Sequence, residues 1–171
     1  DAAAIQAAID DLPTTGGCIM VPPGTAAVST TILLAGSAGT KSNVTLMGFG
    51  NASILKLKAN ATDGPLIRLG YGPVKSTGMQ VRDLRLQGNS ANNASATQSC
   101  GISMEDSTGA YIANVTVEDF NQDGIVVNGS EAGHISMCQL TNNDRYGIGA
   151  GTDQKSASHI RITKCRIYDN D

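Results

Sequence analysis

Asp123, Arg145 and Tyr146 are the residues of this chain whose types and spacing could do chemistry. Asp123 and Tyr146 are 23 positions apart, one full step of a repeat that runs through this stretch. Copies of one column in stacked strands lie about 5 Å apart, so the carboxylate and the phenol are expected side by side, with Arg145 next to them. An Asp, a Tyr and an Arg together can neutralise a substrate carboxylate and move a proton, as β-elimination or epimerisation of a uronate requires. The same trio can contact a sugar without chemistry, or serve as a hydrogen-bond cluster at a turn. Glu118, Asp119 and Asp144 are the adjoining candidates for substrate contact.

What would position these side chains is the repeat itself. Pairs of apolar residues one apart recur at Ile19/Val21, Val44/Leu46, Leu84/Leu86, Val115/Val117, Cys138/Leu140 and Cys165/Ile167, in steps of 25, 40, 31, 23 and 27. Ile112, Ile135 and Ile162 each precede a pair by three positions, and Phe120, Asn143 and Asn170 follow by five. Alternation with period 2 puts the marked residues on one strand face. Steps of about 20 to 30 residues are those of a solenoid whose strands stack on their own copies. The expected class is therefore all-β, with 1–171 as a single domain.

Ala4, Ile5, Ala8, Ile9 and Leu12 form one apolar helical face, ended by Pro13 and Gly16-Gly17. A capping helix over 1–12 would cover the open first coil, with coils running over 18–171. Strands are expected at Cys18 to Val21, Val28 to Leu34, Ile54 to Leu57 and Leu66 to Leu69. Ser90 to Cys100 and Gly149 to Ser158 read as insertions at turns, where solenoids usually build a binding face. The sequence opens at Asp1 without an initiator Met, as in a mature or trimmed product. At Asp171 it stops within a coil, so that further coils or another subunit are expected there, and end-to-end self-association follows as an option.

Composition narrows the partners. A formal charge of −3 and no Lys/Arg run argue against nucleic acid and anionic membrane surfaces, and no apolar stretch reaches the roughly 18 residues of a membrane span. Cys138 and Cys165 occupy one inward slot of neighbouring coils, as two small buried thiols or as a strained disulfide. Asn-X-Ser/Thr sequons at Asn43, Asn51, Asn60, Asn93, Asn114 and Asn128 point to a secreted, glycosylated protein, although Asn-Val-Thr also simply suits strand entry. His134 and His159 are expected to stack at one turn, without the neighbours a metal site needs. Glu105-Asp106 and Asp144 leave room for Ca²⁺; no other cofactor is expected.

Ala4-Ile5-Gln6-Ala7-Ala8-Ile9-Asp10, Gly16-Gly17 and Val21-Pro22-Pro23-Gly24-Thr25 resemble the opening of pectate-lyase-superfamily right-handed parallel β-helices. Asn43-Val44-Thr45-Leu46-Met47-Gly48-Phe49-Gly50 and Leu84-Arg85-Leu86-Gln87-Gly88-Asn89 are similar to it too. The resemblance covers nearly the whole chain and implies three parallel sheets per coil, Asn or apolar ladders at the turns, and a polysaccharide along one outer sheet. Asn121-Gln122-Asp123-Gly124-Ile125 resembles the polygalacturonase motif, but Arg145-Tyr146 stands where the Asp pair of that family would follow. Tyr146-Gly147-Ile148-Gly149-Ala150-Gly151 resembles the alginate-epimerase motif with glycines in the Asp and His places. The expectation is an extracellular carbohydrate-active β-helix acting on or binding an acidic polysaccharide. Its rival is a non-catalytic solenoid used as an adhesin, tail-fibre or fibre-forming subunit.

Overall fold

In the computed structural model, which describes residues 1–71, 75–94, 99–150 and 157–171, every coil turns the same corner in the same backbone conformation. Gly16, Asn43, Gly78, Gly109, Ala132 and His159 all lie in the left-handed region, with φ from 52 to 103°. Successive corners are hydrogen-bonded to the coil above, as in Gly78 N to Thr108 O at 3.0 Å and Gly109 N to Glu131 O at 2.9 Å. Among the described residues these corners mark six coils, with steps of 27, 35, 31, 23 and 27 residues between them. At Gly16 a side chain is impossible, since a Cβ would stand 2.1 Å from the carbonyl oxygen of Ser42.

A second left-handed corner passes through Asp83, Asn114, Met137 and Lys164, φ 52 to 55°. Asp and Asn tolerate this region better than other non-glycine residues; Met137 and Lys164 adopt it because stacking dictates it. Strands on either side of this corner pair only with their counterparts in the coils before and after, all in parallel. Two of the three expected faces therefore merge into one ten-stranded sheet, with a five-stranded sheet opposite and a short two-stranded ladder between.

The register corrects the spacing read from sequence. Ile19 pairs with Leu46, and Leu46 with Val81, so the first two apolar pairs belong to the column of Ile112, Ile135 and Ile162. The column of Leu86, Val117, Leu140 and Ile167 begins instead with Ala26 and Leu55. The five-stranded sheet contributes a ladder of Ile32, Ile67, Ile102, Ile125 and Ile148. The first four are fully buried, and each is worth about 1.5–3 kcal/mol of burial. Val28 to Leu34 is split into strands Gly24–Val28 and Ile32–Leu33.

The helix spans Ala2–Asp10, ending earlier than the expected 1–12. Besides burying Ile9, it satisfies the exposed edge of the first coil with side chains. Asp1 Oδ2 accepts from Ala27 N at 2.8 Å, Gln6 both accepts from and donates to the Leu33 backbone, and Asp10 Oδ1 accepts from Ser37 N at 2.8 Å. In the sixth coil the inward-column residues Ile162 and Ile167 are 48% and 49% exposed.

Candidate functional site

Phe120 is buried at the corner where the ten-stranded sheet gives way to the five-stranded one. Its neighbour Asn143 fills the turn below, accepting from Phe120 N at 3.3 Å and donating to Asn170 Oδ1 at 2.8 Å. This Asn ladder fixes the approach to strand Ile125–Asn128 and sets Asp123 just before it. The backbones of Asp123 and Tyr146 stack as the 23-residue step requires. Gly124 N donates to Tyr146 O at 2.8 Å, and Asp123 Oδ1 accepts from Tyr146 N at 3.1 Å.

The two side chains differ in burial, and each meets Arg145. Asp123 has no exposed surface, whereas Tyr146 is 58% exposed. Arg145 covers the carboxylate with two parallel bonds, Nε to Oδ1 at 2.7 Å and Nη2 to Oδ2 at 2.6 Å. These bonds push the Arg145 guanidinium above its ordinary range. The carboxylate lies over Gly149, where a Cβ would stand 2.3 Å from Asp123 Oδ2. That explains the glycine of Tyr146-Gly147-Ile148-Gly149: the space is occupied by an acid supplied from the previous coil. Buried Cys100 lies close enough for Asp123 to add to the burial that pushes its thiol up to about 12.

Arg145 also stands 5.8 Å from the centroid of the Tyr146 ring, a cation–π contact. The surface thus presents an aromatic face and a guanidinium edge, both held by a buried acid. Arg68 repeats the arrangement, 5.9 Å from Tyr71 and 3.4 Å from Glu105. Arg166 makes the cation–π contact alone, 5.8 Å from Tyr168. Only proximity in sequence hinted at these pairs.

The remaining candidates are dispersed. Glu118 faces out from the ten-stranded sheet, where it accepts from Arg85 at 2.9 and 2.6 Å and from Gln87 at 2.7 Å, so it is separated from Asp123. Asp119 is exposed and accepts from Ser90 Oγ at 2.8 Å. Asp144 is exposed at the same corner, its carboxyl raised by partial burial, then by Asp119 and Asp171. His134 does not stack on His159. Its partner in register is Arg161, its ring lies 5.4 Å from that of Tyr111, and its Nε2 is 2.9 Å from Thr163 Oγ1. Ser136 Oγ donates to Tyr111 OH at 3.2 Å, a contact no spacing argument had singled out.

Asn43, Asn51, Asn60 and Asn114 are exposed. Asn93 and Asn128 are buried, which sets them apart from the other four expected glycan acceptors. Asn93 is consumed by structure: Oδ1 accepts from Ala61 N at 2.9 Å, and Nδ2 donates to the carbonyls of Lys58, Gly88 and Asn89. Residues 95–98 and 151–156 of the two expected insertions lie outside the described residues. Among the described residues no group of three or more His, Cys, Asp or Glu is placed to hold a metal ion, and no helix is long and apolar enough to cross a membrane. A groove between the helix and the first coil, lined by Ile5, Met20, Val21 and Pro23, lies coils away from Asp123.

The family model described as "Right handed beta helix region" matches residues 31–171. Among solved structures, the ORF18 protein of Geobacillus virus E2 is similar over 95% of this chain and 32% of its own, with 19% identity and a TM-score of 0.78. The A-module of mannuronan C-5 epimerase AlgE6 from Azotobacter vinelandii is similar over 99% of this chain and 52% of its own, with 22% identity and a TM-score of 0.64. A GH87 α-1,3-glucanase catalytic domain, solved with tetrasaccharides, follows over 89% and 33%, with 14% identity and a TM-score of 0.50. The chain spans between a third and about half of the length of these structures. No curated protein matches it.

Proposed function

Since the chain belongs to the right-handed β-helix family, we propose that it handles an extracellular acidic polysaccharide through the corner built by Asp123, Arg145 and Tyr146. The observation that carries this reading is the bidentate Asp123–Arg145 pair beneath an exposed tyrosine. It fixes a guanidinium edge and an aromatic face in advance, so neither has to be ordered when a sugar arrives. Arg145 spends Nε and Nη2 on Asp123 and keeps Nη1 for a uronate carboxylate. The Tyr146 ring stacks on the apolar face of the sugar, and its hydroxyl is the group able to exchange a proton with it. Asp123 is a positioning residue here, not a base. The fold likeness to a mannuronan epimerase and a glucanase supports a polysaccharide as the ligand in general.

The second reading is a non-catalytic β-solenoid subunit of a fibre or adhesin. It is favoured by the commitment of both Asp123 oxygens to Arg145 and by the fold likeness to a viral protein. A turnover assay on polygalacturonate, alginate and α-1,3-glucan, following unsaturated products, reducing ends and, by proton NMR, inversion at C5 of the uronates, separates the two. Turnover that disappears in Tyr146→Phe supports the catalytic reading. Binding without turnover, weakened by Arg145→Gln, supports recognition alone. Folded protein that neither binds nor converts any polymer leaves the structural subunit.

A further inference from the structure

One inward slot of the ten-stranded sheet changes residue type along the stack. It holds Leu84 and Val115 in the third and fourth coils, and Cys138 and Cys165 in the fifth and sixth. Register places the two cysteines directly on one another: Gln139 pairs with Arg166, and Arg166 N donates to Cys138 O at 2.9 Å. Neighbouring strands lie about 4.8 Å apart, inside the roughly 4.4–6.8 Å between Cα atoms that a disulfide spans. No other pair among the cysteines is so placed. Cys18 is exposed on the first coil, in register with Thr45, and Cys100 lies beside Asp123 on the five-stranded side.

The sulfurs are one side-chain rotation from meeting. Cys165 Sγ leans back into the fifth coil, 3.8 Å from Ile135 O and 3.4 Å from Thr163 O. Cys138 Sγ takes the equivalent position one coil earlier, 3.8 Å from Ile112 O and 3.3 Å from Ser136 O. Turning Cys138 alone about its Cα–Cβ bond brings its sulfur toward Cys165, at the loss of two contacts from a weak S–H donor. The two thiols already act on each other, since Cys165 adds to the burial that raises the Cys138 thiol.

The same two coils turn a less favourable corner than the two before them. In the third and fourth coils the left-handed position belongs to Asp83 and Asn114, inside unbroken strands Gln80–Gln87 and Tyr111–Glu118. In the fifth and sixth it belongs to Met137 and Lys164, whose types disfavour it, and each immediately precedes a cysteine. There the strands break at the corner, into His134–Ser136 and Gln139–Thr141, then Arg161–Thr163 and Arg166–Tyr168.

We infer that Cys138 and Cys165 are the reduced form of a redox pair, whose closure to a disulfide ties the sixth coil to the fifth beside this corner. The oxidant is a small disulfide of the glutathione type. One cysteine thiolate displaces a glutathione thiolate from it, and the other attacks the mixed disulfide and displaces the second. The two cysteine protons end on two glutathione thiols, so the small disulfide is reduced as the pair is oxidised. Burial suppresses the Cys138 thiolate in the closed coil, which assigns the exchange to the period before the coils close. The bond joins residues 27 positions apart, and it restricts the unfolded chain while leaving the native column in place.

The test is cell-free synthesis of the whole chain, once in a mixture of reduced and oxidised glutathione and once in dithiothreitol. Circular dichroism checks the fold, iodoacetamide in denaturant caps the free thiols, and mass spectrometry of the digest locates any bond. The expected result is a linked Cys138–Cys165 peptide in the glutathione product alone, with a melting temperature about 5–10 °C above that of the dithiothreitol product. Cys165→Val, carrying the residue that the same slot holds at Val115, should melt at one temperature from both mixtures. Folded glutathione product with Cys138 and Cys165 both alkylated overturns the pair, and so does linkage of either one to Cys18 or Cys100. Linked protein that melts no higher overturns the tie between coils. A glutathione-dependent gain that survives in Cys165→Val assigns it to other cysteines and overturns it too. Loss of fold confined to the wild-type glutathione product also overturns it, since a bond that the column accommodates does not prevent folding.

Discussion

Arg145 closes over Asp123 in fork geometry, with its Nε and Nη2 at 2.7 and 2.6 Å from the two carboxylate oxygens. The acid is fully buried, while the arginine side chain keeps 41% of its surface. One partner has been taken from water and the other has not, so the pair works in one direction. Asp123 is there to hold Arg145, and Arg145 is there to face outward.

Removing the acid should therefore differ from removing the base. Arg145→Ala strands a buried carboxylate and is expected to cost about 2–4 kcal/mol, below the roughly 3–5 of a wholly buried pair because solvent already reaches the guanidinium. Asp123→Asn keeps the volume over Gly149 and the contact with Tyr146 N, and is expected to cost less. Urea unfolding of both variants checks the order. Equal losses would mean that Asp123 is not the stranded partner.

The fold was legible because β-helix coils copy one another. Ile112, Ile135 and Ile162 recur in phase, and the structure places them in one column. The phase was lost in the first coils, where steps of 27 and 35 residues let either of two inward columns be taken for the same one. The candidate site was legible in backbone and not in side chains. A spacing of 23 stacks Asp123 on Tyr146, but burial decides where a side chain turns, and here it turned the acid inward and the ring outward. Gly149 was the available signal, since a missing side chain one coil after the acid leaves the space that the acid fills.

The sequons divide by burial. In a glycosylating host, peptide mapping before and after endoglycosidase should find glycans at some of the exposed Asn43, Asn51, Asn60 and Asn114 and at neither Asn93 nor Asn128. A glycan on natively folded protein at Asn93 would contradict its four hydrogen bonds. Asn93→Ala strands several of those buried partners at about 1–3 kcal/mol each and should lower the melting temperature sharply.

All four cysteines are unpaired thiols, and they differ in reach. Cys18 is exposed, whereas burial pushes the Cys138 thiol up to about 12. Only the thiolate is nucleophilic, so brief treatment with iodoacetamide at neutral pH should label Cys18 and spare Cys100 and Cys138. Rapid labelling of Cys138 in the native state would mean that the fifth coil opens locally.

Stability should also carry a signature of the corner where Asp144 lies. Its carboxyl is raised by partial burial, by Asp119 and by Asp171, so the folded state holds that proton more tightly than the unfolded chain. A raised carboxyl adds stability on the acid side and costs stability once pH exceeds the folded value. Asp144→Asn should accordingly raise the melting temperature at pH 7. The gain should fade as pH falls through the carboxylate range, and it should shrink with added salt, because Asp144 is mostly exposed and its repulsion is screened. Thermal melts of both proteins across that range read the difference directly. A gain that is the same at acid and neutral pH would assign the effect to packing and remove the charge argument.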